Sequence, residues 1–105
     1  MTDSELRKHQ YFSQTIEQAI RMANREVLHP VTAPLTQDKI LSVAVEVAKR
    51  RSRYIEKVLN LGADGKTPPS GEDLRTCRIE FEEARDGFSA LMTAIERNYI
   101  DVPET

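Results

Sequence analysis

Four of the five prolines and three of the four glycines fall in two short stretches, His29-Pro30-Val31-Thr32-Ala33-Pro34 and residues 62–71. These stretches divide the chain into three long segments, and the fifth proline, Pro103, stands near the end of the third. Proline removes a backbone donor and disfavours helical geometry in the residue before it, and clustered glycines mark turns. The punctuation therefore permits three long helices and little else. No repeat at a solenoid period is visible in the segments.

Apolar periodicity fills the three segments with helix. The first predicted helix runs from about Ser4 to Leu28, with Thr2 and Glu5, or Asp3 alone, as its cap. Phe12, Ile16, Ala19, Ile20, Ala23 and Val27 are its expected buried face, and Pro30 is expected to end it at His29. The second runs from about Gln37 to Asn60, capped by Thr36, with Leu35 and Ile40 placed as a hydrophobic staple. Its expected core face holds Ile40, Leu41, Ala44, Val47, Ala48, Tyr54, Ile55 and Val58, widened by Val43 and Val45. Gly62 is the expected left-handed residue after its end.

The third helix runs from about Glu72 to Asn98, with Ser70 and Asp73 as a capping pair. Leu74, Cys77, Phe81, Ala84, Phe88, Leu91 and Ile95 alternate spacings of three and four through three heptads. Asn98 marks the expected frayed end, and Val102-Pro103 follows as a stop.

Connections of this length favour antiparallel neighbours. The predicted fold is all-α: an up-down-up bundle of three long antiparallel helices in a single domain over residues 1–105. A chain of 12.0 kDa should fold to a surface of roughly 6,000 Å² against roughly 17,000 Å² unfolded. That core is thin, and a second copy would complete it, so a homodimer is expected.

Charge and composition exclude several function classes. The net charge of −2 gives no global field to hold a polyanion. It arises by cancellation, since residues 1–60 carry ten Lys/Arg and seven Asp/Glu, and residues 61–105 carry five and ten. The third helix is expected to set its acids against basic residues of the other two. One cysteine, Cys77, allows no internal disulfide and no cysteine-built zinc site. The polar start Met1-Thr2-Asp3-Ser4-Glu5 lacks the apolar run of a secretory signal, and no segment is apolar enough to span a membrane. The expected location is cytoplasmic.

Candidate chemistry is sparse. Arg51 falls within the apolar stripe of the second helix, where its head must be paired or must snorkel outward along its stem. That position admits a small ligand bound at Arg51, or an ion pair with an acid of another helix or a place at a dimer seam. Lys49, Arg50, Arg53 and Lys57 spread over an arc of about 100° on the polar side. Glu46 lies in that arc, four residues before Arg50, the favourable order for a local pair. Interleaved acids and the lack of a stacking aromatic make nucleic-acid binding the weaker reading there.

Glu80, Glu82, Glu83 and Asp86 cluster on the third helix, but a di-metal bundle needs Glu-x-x-His on facing helices, and only Glu26 and His29 fit that spacing. Gly62-Ala63-Asp64-Gly65-Lys66-Thr67 has too few residues between its glycines for a phosphate loop and follows a helix where the motif needs a strand. Cys77 sits at a core position, where a thiol acts as a small hydrophobe. No catalytic residue, metal or cofactor is assigned. Tyr11 and Met22 lie together on a flank of the first helix, off its core stripe, as a candidate contact surface. The expected function is a non-catalytic interaction or regulatory module with a protein partner or itself.

Overall fold

A computed structural model describes residues 2–102, and three helices make up the regular structure among them: α1 (Asp3–Thr32), α2 (Gln37–Asn60) and α3 (Gly71–Glu96). The all-α, three-helix class is as the sequence predicts. The chain divides into two units, the α2–α3 hairpin (Thr36–Met92) and a second unit that joins residues 2–35 to residues 93–102.

In the hairpin, α2 and α3 pack antiparallel. Tyr54 and Phe81 stack with ring centroids 6.3 Å apart, while earlier in α2 Ser42 shares a groove with Phe88, later in α3. All seven predicted stripe positions of α3, from Leu74 to Ile95, are half-buried. The stripe of α2 is narrower than expected. Ile40, Ala44 and Tyr54 are half-buried and Val47 is 6% exposed, whereas Leu41, Ala48, Ile55 and Val58 face solvent with Val45 and Leu59. Helix starts follow the expected caps: the Thr36 hydroxyl accepts from the Lys39 N–H at 3.2 Å, and the Ser70 hydroxyl from the Asp73 N–H at 3.0 Å. Gly62, however, is not left-handed; α2 ends through Leu61 in right-handed geometry, and the positive φ of this connection lies at Gly65.

In the other unit, α1 opens with a complete capping box, in which Thr2 and Glu5 satisfy each other's backbone N–H. Pro30 does not end α1 at His29. The helix continues to Thr32 because the turn beyond the proline keeps two bonds, from the Ala33 N–H to the His29 carbonyl and from the Thr32 hydroxyl to the Leu28 carbonyl, both 3.0 Å. Proline costs most in a helix interior, and here a single turn follows it.

The end of α3 also belongs to this unit, and it is ordered where fraying was expected. Asn98 has φ 64°, its N–H donates to the Ile95 carbonyl, and the Tyr99 N–H donates to the Ala94 carbonyl at 2.8 Å. This is a Schellman closure with asparagine at the left-handed position, which asparagine tolerates better than most side chains. The turn places Ile100 inward at 7% exposure. Arg25 of α1 secures the same turn through the Asn98 carbonyl at 2.9 Å and the Asp101 carboxylate at 2.6 Å. The expected stop at Pro103 lies outside the described residues.

The expected buried face of α1 is exposed. Phe12 is 65% accessible, Ile16 43%, Ile20 46% and Val27 71%. Among the described residues, Val47 and Ile100 are the buried apolar side chains. The chain presents 8354 Å² of accessible surface, well above the roughly 6,000 Å² expected of a folded monomer of this mass.

Candidate interaction surfaces

The basic run of α2 resolves into separate local contacts once it is wound on a helix. Arg50 turns toward α3: its guanidinium donates to the Glu80 carbonyl at 3.1 Å, while its Nε pairs with Glu46 at 3.3 Å. Arg53 reaches the same Glu46 oxygen at 3.9 Å. One carboxylate thus answers two guanidinium groups, as the i, i+4 spacing of Glu46 and Arg50 predicts. Lys49 is exposed and Lys57 half-buried.

Arg51 is neither buried nor paired with an acid of another helix. Its guanidinium lies over the Phe81 ring, the central carbon 5.1 Å from the ring centroid. Arg85 of α3 approaches the same ring at 5.4 Å. The negative face of an aromatic ring attracts guanidinium, so Phe81 is the centre of a cluster made by Tyr54, Arg51 and Arg85. The periodicity that put Arg51 on the apolar side was right about its direction. Of the two arrangements expected for Arg51, the head is directed outward and not paired with an acid; the aromatic ring beneath it is what periodicity does not reveal.

A groove of about 480 Å³ runs beside this cluster between α2 and α3, lined by Ser42, Glu46, Arg50, Glu83, Gly87 and Phe88. Among its polar groups, Arg50 is held by Glu46 and the Glu80 carbonyl, and the Ser42 hydroxyl donates to the Asp38 carbonyl.

Two of the acidic residues of α3 pair within the helix. Glu82 pairs with Arg78 at 3.8 Å and Asp86 with Arg85 at 3.1 Å. Among the described residues, Arg25–Asp101 is the ion pair that joins the basic first 60 residues to the acidic remainder. The expected charge matching of α3 against the other helices gives way to pairs within helices, because a partner one turn away is nearer than one on a facing helix. No three His, Cys, Asp or Glu side chains among the described residues converge on one point.

The remaining candidates are apolar. Tyr11 is 74% exposed and Met22 62%, as their off-stripe positions predict. On α2, Leu41, Val45, Ala48, Ser52, Ile55 and Leu59 form a second stripe that sequence reading merged with the core face. Their spacing of four, three, four, three and four residues confines them to an arc of about 80°. All six are exposed. Two shallow hollows lie along it, one at Leu41 and Val45, the other at Ile55 and Leu59. The signal was present in the sequence as a surplus of apolar residues on α2, wider than one seam requires. No helix among the described residues is long and apolar enough to cross a membrane. No family model matches the chain, and neither the curated proteins nor the solved structures contain a match to it.

Proposed function

We propose that this protein is a non-catalytic interaction module, a small cytoplasmic adaptor or regulatory protein that engages another protein through exposed helix faces. The observation that carries this reading is the uncovered stripe of α1, where Phe12, Ile16, Ile20 and Val27 each expose between 43% and 71% of their surface. Single exposed apolar residues are ordinary, but four on one face of one helix form a contiguous patch, and such patches mark protein-binding surfaces. An amphipathic helix offers its apolar side chains at this spacing to a groove on a partner. Tyr11 and Met22 extend the contact surface around the helix. The compensated state of Arg50 and Arg53 supports a protein partner over a polyanion, which would need free cations.

The test is site-specific photo-crosslinking in native host cells, with the probe placed at Phe12, at Ile20 or, as a control, at Lys66 in the second connection. Positions 12 and 20 are expected to capture a discrete protein that position 66 does not. Phe12→Asp with Ile20→Asp is expected to abolish co-purification of that protein while leaving the circular dichroism unchanged. Equal labelling at all three positions would overturn the reading.

A further inference from the structure

Arg21 and Arg97, far apart in sequence, line one cavity of about 340 Å³ together with Glu17, Ile20 and Tyr99. All five belong to the unit built from α1 and the end of α3. Arg21 and Arg25 stand one turn apart on α1 and so share a face. Arg25 is spent on the turn after α3, through the Asn98 carbonyl and the Asp101 carboxylate. That clip holds the turn against α1, and Arg97 and Tyr99 flank Asn98 within it. The cavity therefore receives one guanidinium from α1 and one from the residue just beyond α3. Among the described residues, neither Arg21 nor Arg97 pairs with an acid, and Glu17 stays apart from both. Arg50, in the groove between α2 and α3, is by contrast held by Glu46 and the Glu80 carbonyl.

We infer that this cavity is a binding site for a carboxylate carried on a short apolar group. Guanidinium meets carboxylate through parallel charge-assisted hydrogen bonds, and two guanidinium groups on one cavity supply more donors than a single carboxylate needs. Charge sets the class of anion. Two positive groups against the one carboxylate of Glu17 leave a single positive charge to be answered. A monoanion answers it, whereas a dianionic phosphate is repelled by Glu17 twice as strongly. Ile20 and the half-buried Tyr99 supply an apolar wall beside the charged groups, the mixture that small-ligand sites show. The carboxylate belongs either to a free small acid or to an acidic side chain of a protein. This site goes beyond the docking role of α1, with which it shares Ile20 alone.

The test is an NMR titration of the isotope-labelled full chain with hexanoate, read at the Nε–H signals of Arg21 and Arg97. Both are expected to shift saturably with hexanoate and not with hexylamine, and hexyl phosphate is expected to bind more weakly. Arg21→Gln and Arg97→Gln, at exposed positions, are each expected to raise the hexanoate Kd by about tenfold with the circular dichroism unchanged. Glu17→Gln is expected to tighten hexanoate by about threefold, the scale of one exposed charge.

A capped leucyl-glutamate dipeptide separates the two sources. Tighter binding of the dipeptide than of hexanoate would assign the site to a protein side chain, and the reverse order to a free acid; either supports the site. Hexanoate shifts that do not saturate would overturn the inference, as would binding indifferent to both arginine substitutions, or tighter binding of hexyl phosphate. Each of these failures leaves the docking role of α1 standing, because capture of a protein at Phe12 and Ile20 does not depend on the cavity.

Discussion

α1 and α3 are nearly equal in length, and each carries one apolar stripe at helical spacing, yet their stripes have opposite fates. Leu74 to Ile95 of α3 are half-buried throughout, and Phe81 gathers Tyr54, Arg51 and Arg85 around its ring. Phe12, of the same residue type at an equivalent place in α1, keeps 65% of its surface in solvent. The difference does not lie in the helices, since both have sound starts and regular stripes. It lies in what covers them. A periodic pattern fixes which face of a helix is apolar; it is silent on whether that face meets the same chain, a second copy or a different protein.

The contrast can be broken most directly by matched truncations. Phe81→Ala is expected to destabilise the chain by about 3 kcal/mol, the lower end for a large aromatic because Phe81 is half-buried. Phe12→Ala is expected to change it by under about 0.5 kcal/mol, as at an exposed site. Urea unfolding at a concentration where no self-association occurs compares them. The same experiment at smaller scale sets Val47→Ala, expected at about 2 kcal/mol, against Val27→Ala, expected near zero. Equal losses within either pair would mean that α1 buries its stripe in solution.

The smaller effect lies at the turn that secures α1. Asn98→Ala is expected to cost about 1 kcal/mol, because alanine resists the left-handed conformation that φ 64° requires. Asn98→Gly is expected to be neutral or stabilising. Thermal unfolding separates them, and equal melting temperatures for the two variants would show that the closure is not left-handed.

Much of the fold was legible in the sequence, for identifiable reasons. Thr2, Thr36 and Ser70 announce their helices because a hydroxyl before an apolar run satisfies backbone donors that nothing else reaches. The seven positions of α3 were legible because their heptad pattern has no gap. Other features turned on competition between local rules. Pro30 ended the expected helix by its steric rule, but two hydrogen bonds carry α1 one turn further. Gly62 seemed the natural left-handed residue, yet the chain places that conformation at Gly65 and at Asn98. Ile100 was missed because it follows the helical pattern and becomes buried only once Asn98 reverses the chain.

The surfaces were legible in part. The pairing of Glu46 with Arg50 follows from spacing alone. The stacking of Arg51 on Phe81 does not, because it depends on the register between α2 and α3. Nor does the division of α2 into an inner and an outer stripe, which depends on how narrow the α3 seam is.

The bond from Arg25 to the Asn98 carbonyl spans 73 residues, whereas that from Arg50 to the Glu80 carbonyl spans 30. Closing the longer loop in an unfolded chain costs about 0.8 kcal/mol more in entropy. Once α2 and α3 have paired, their own ends lie together and most of that loop is already spanned. The hairpin is therefore the natural first event of folding, and the Arg25 contact is the late one. In the reverse direction α1 is the first to let go, and native-state hydrogen exchange should find its amides opening before those of the hairpin.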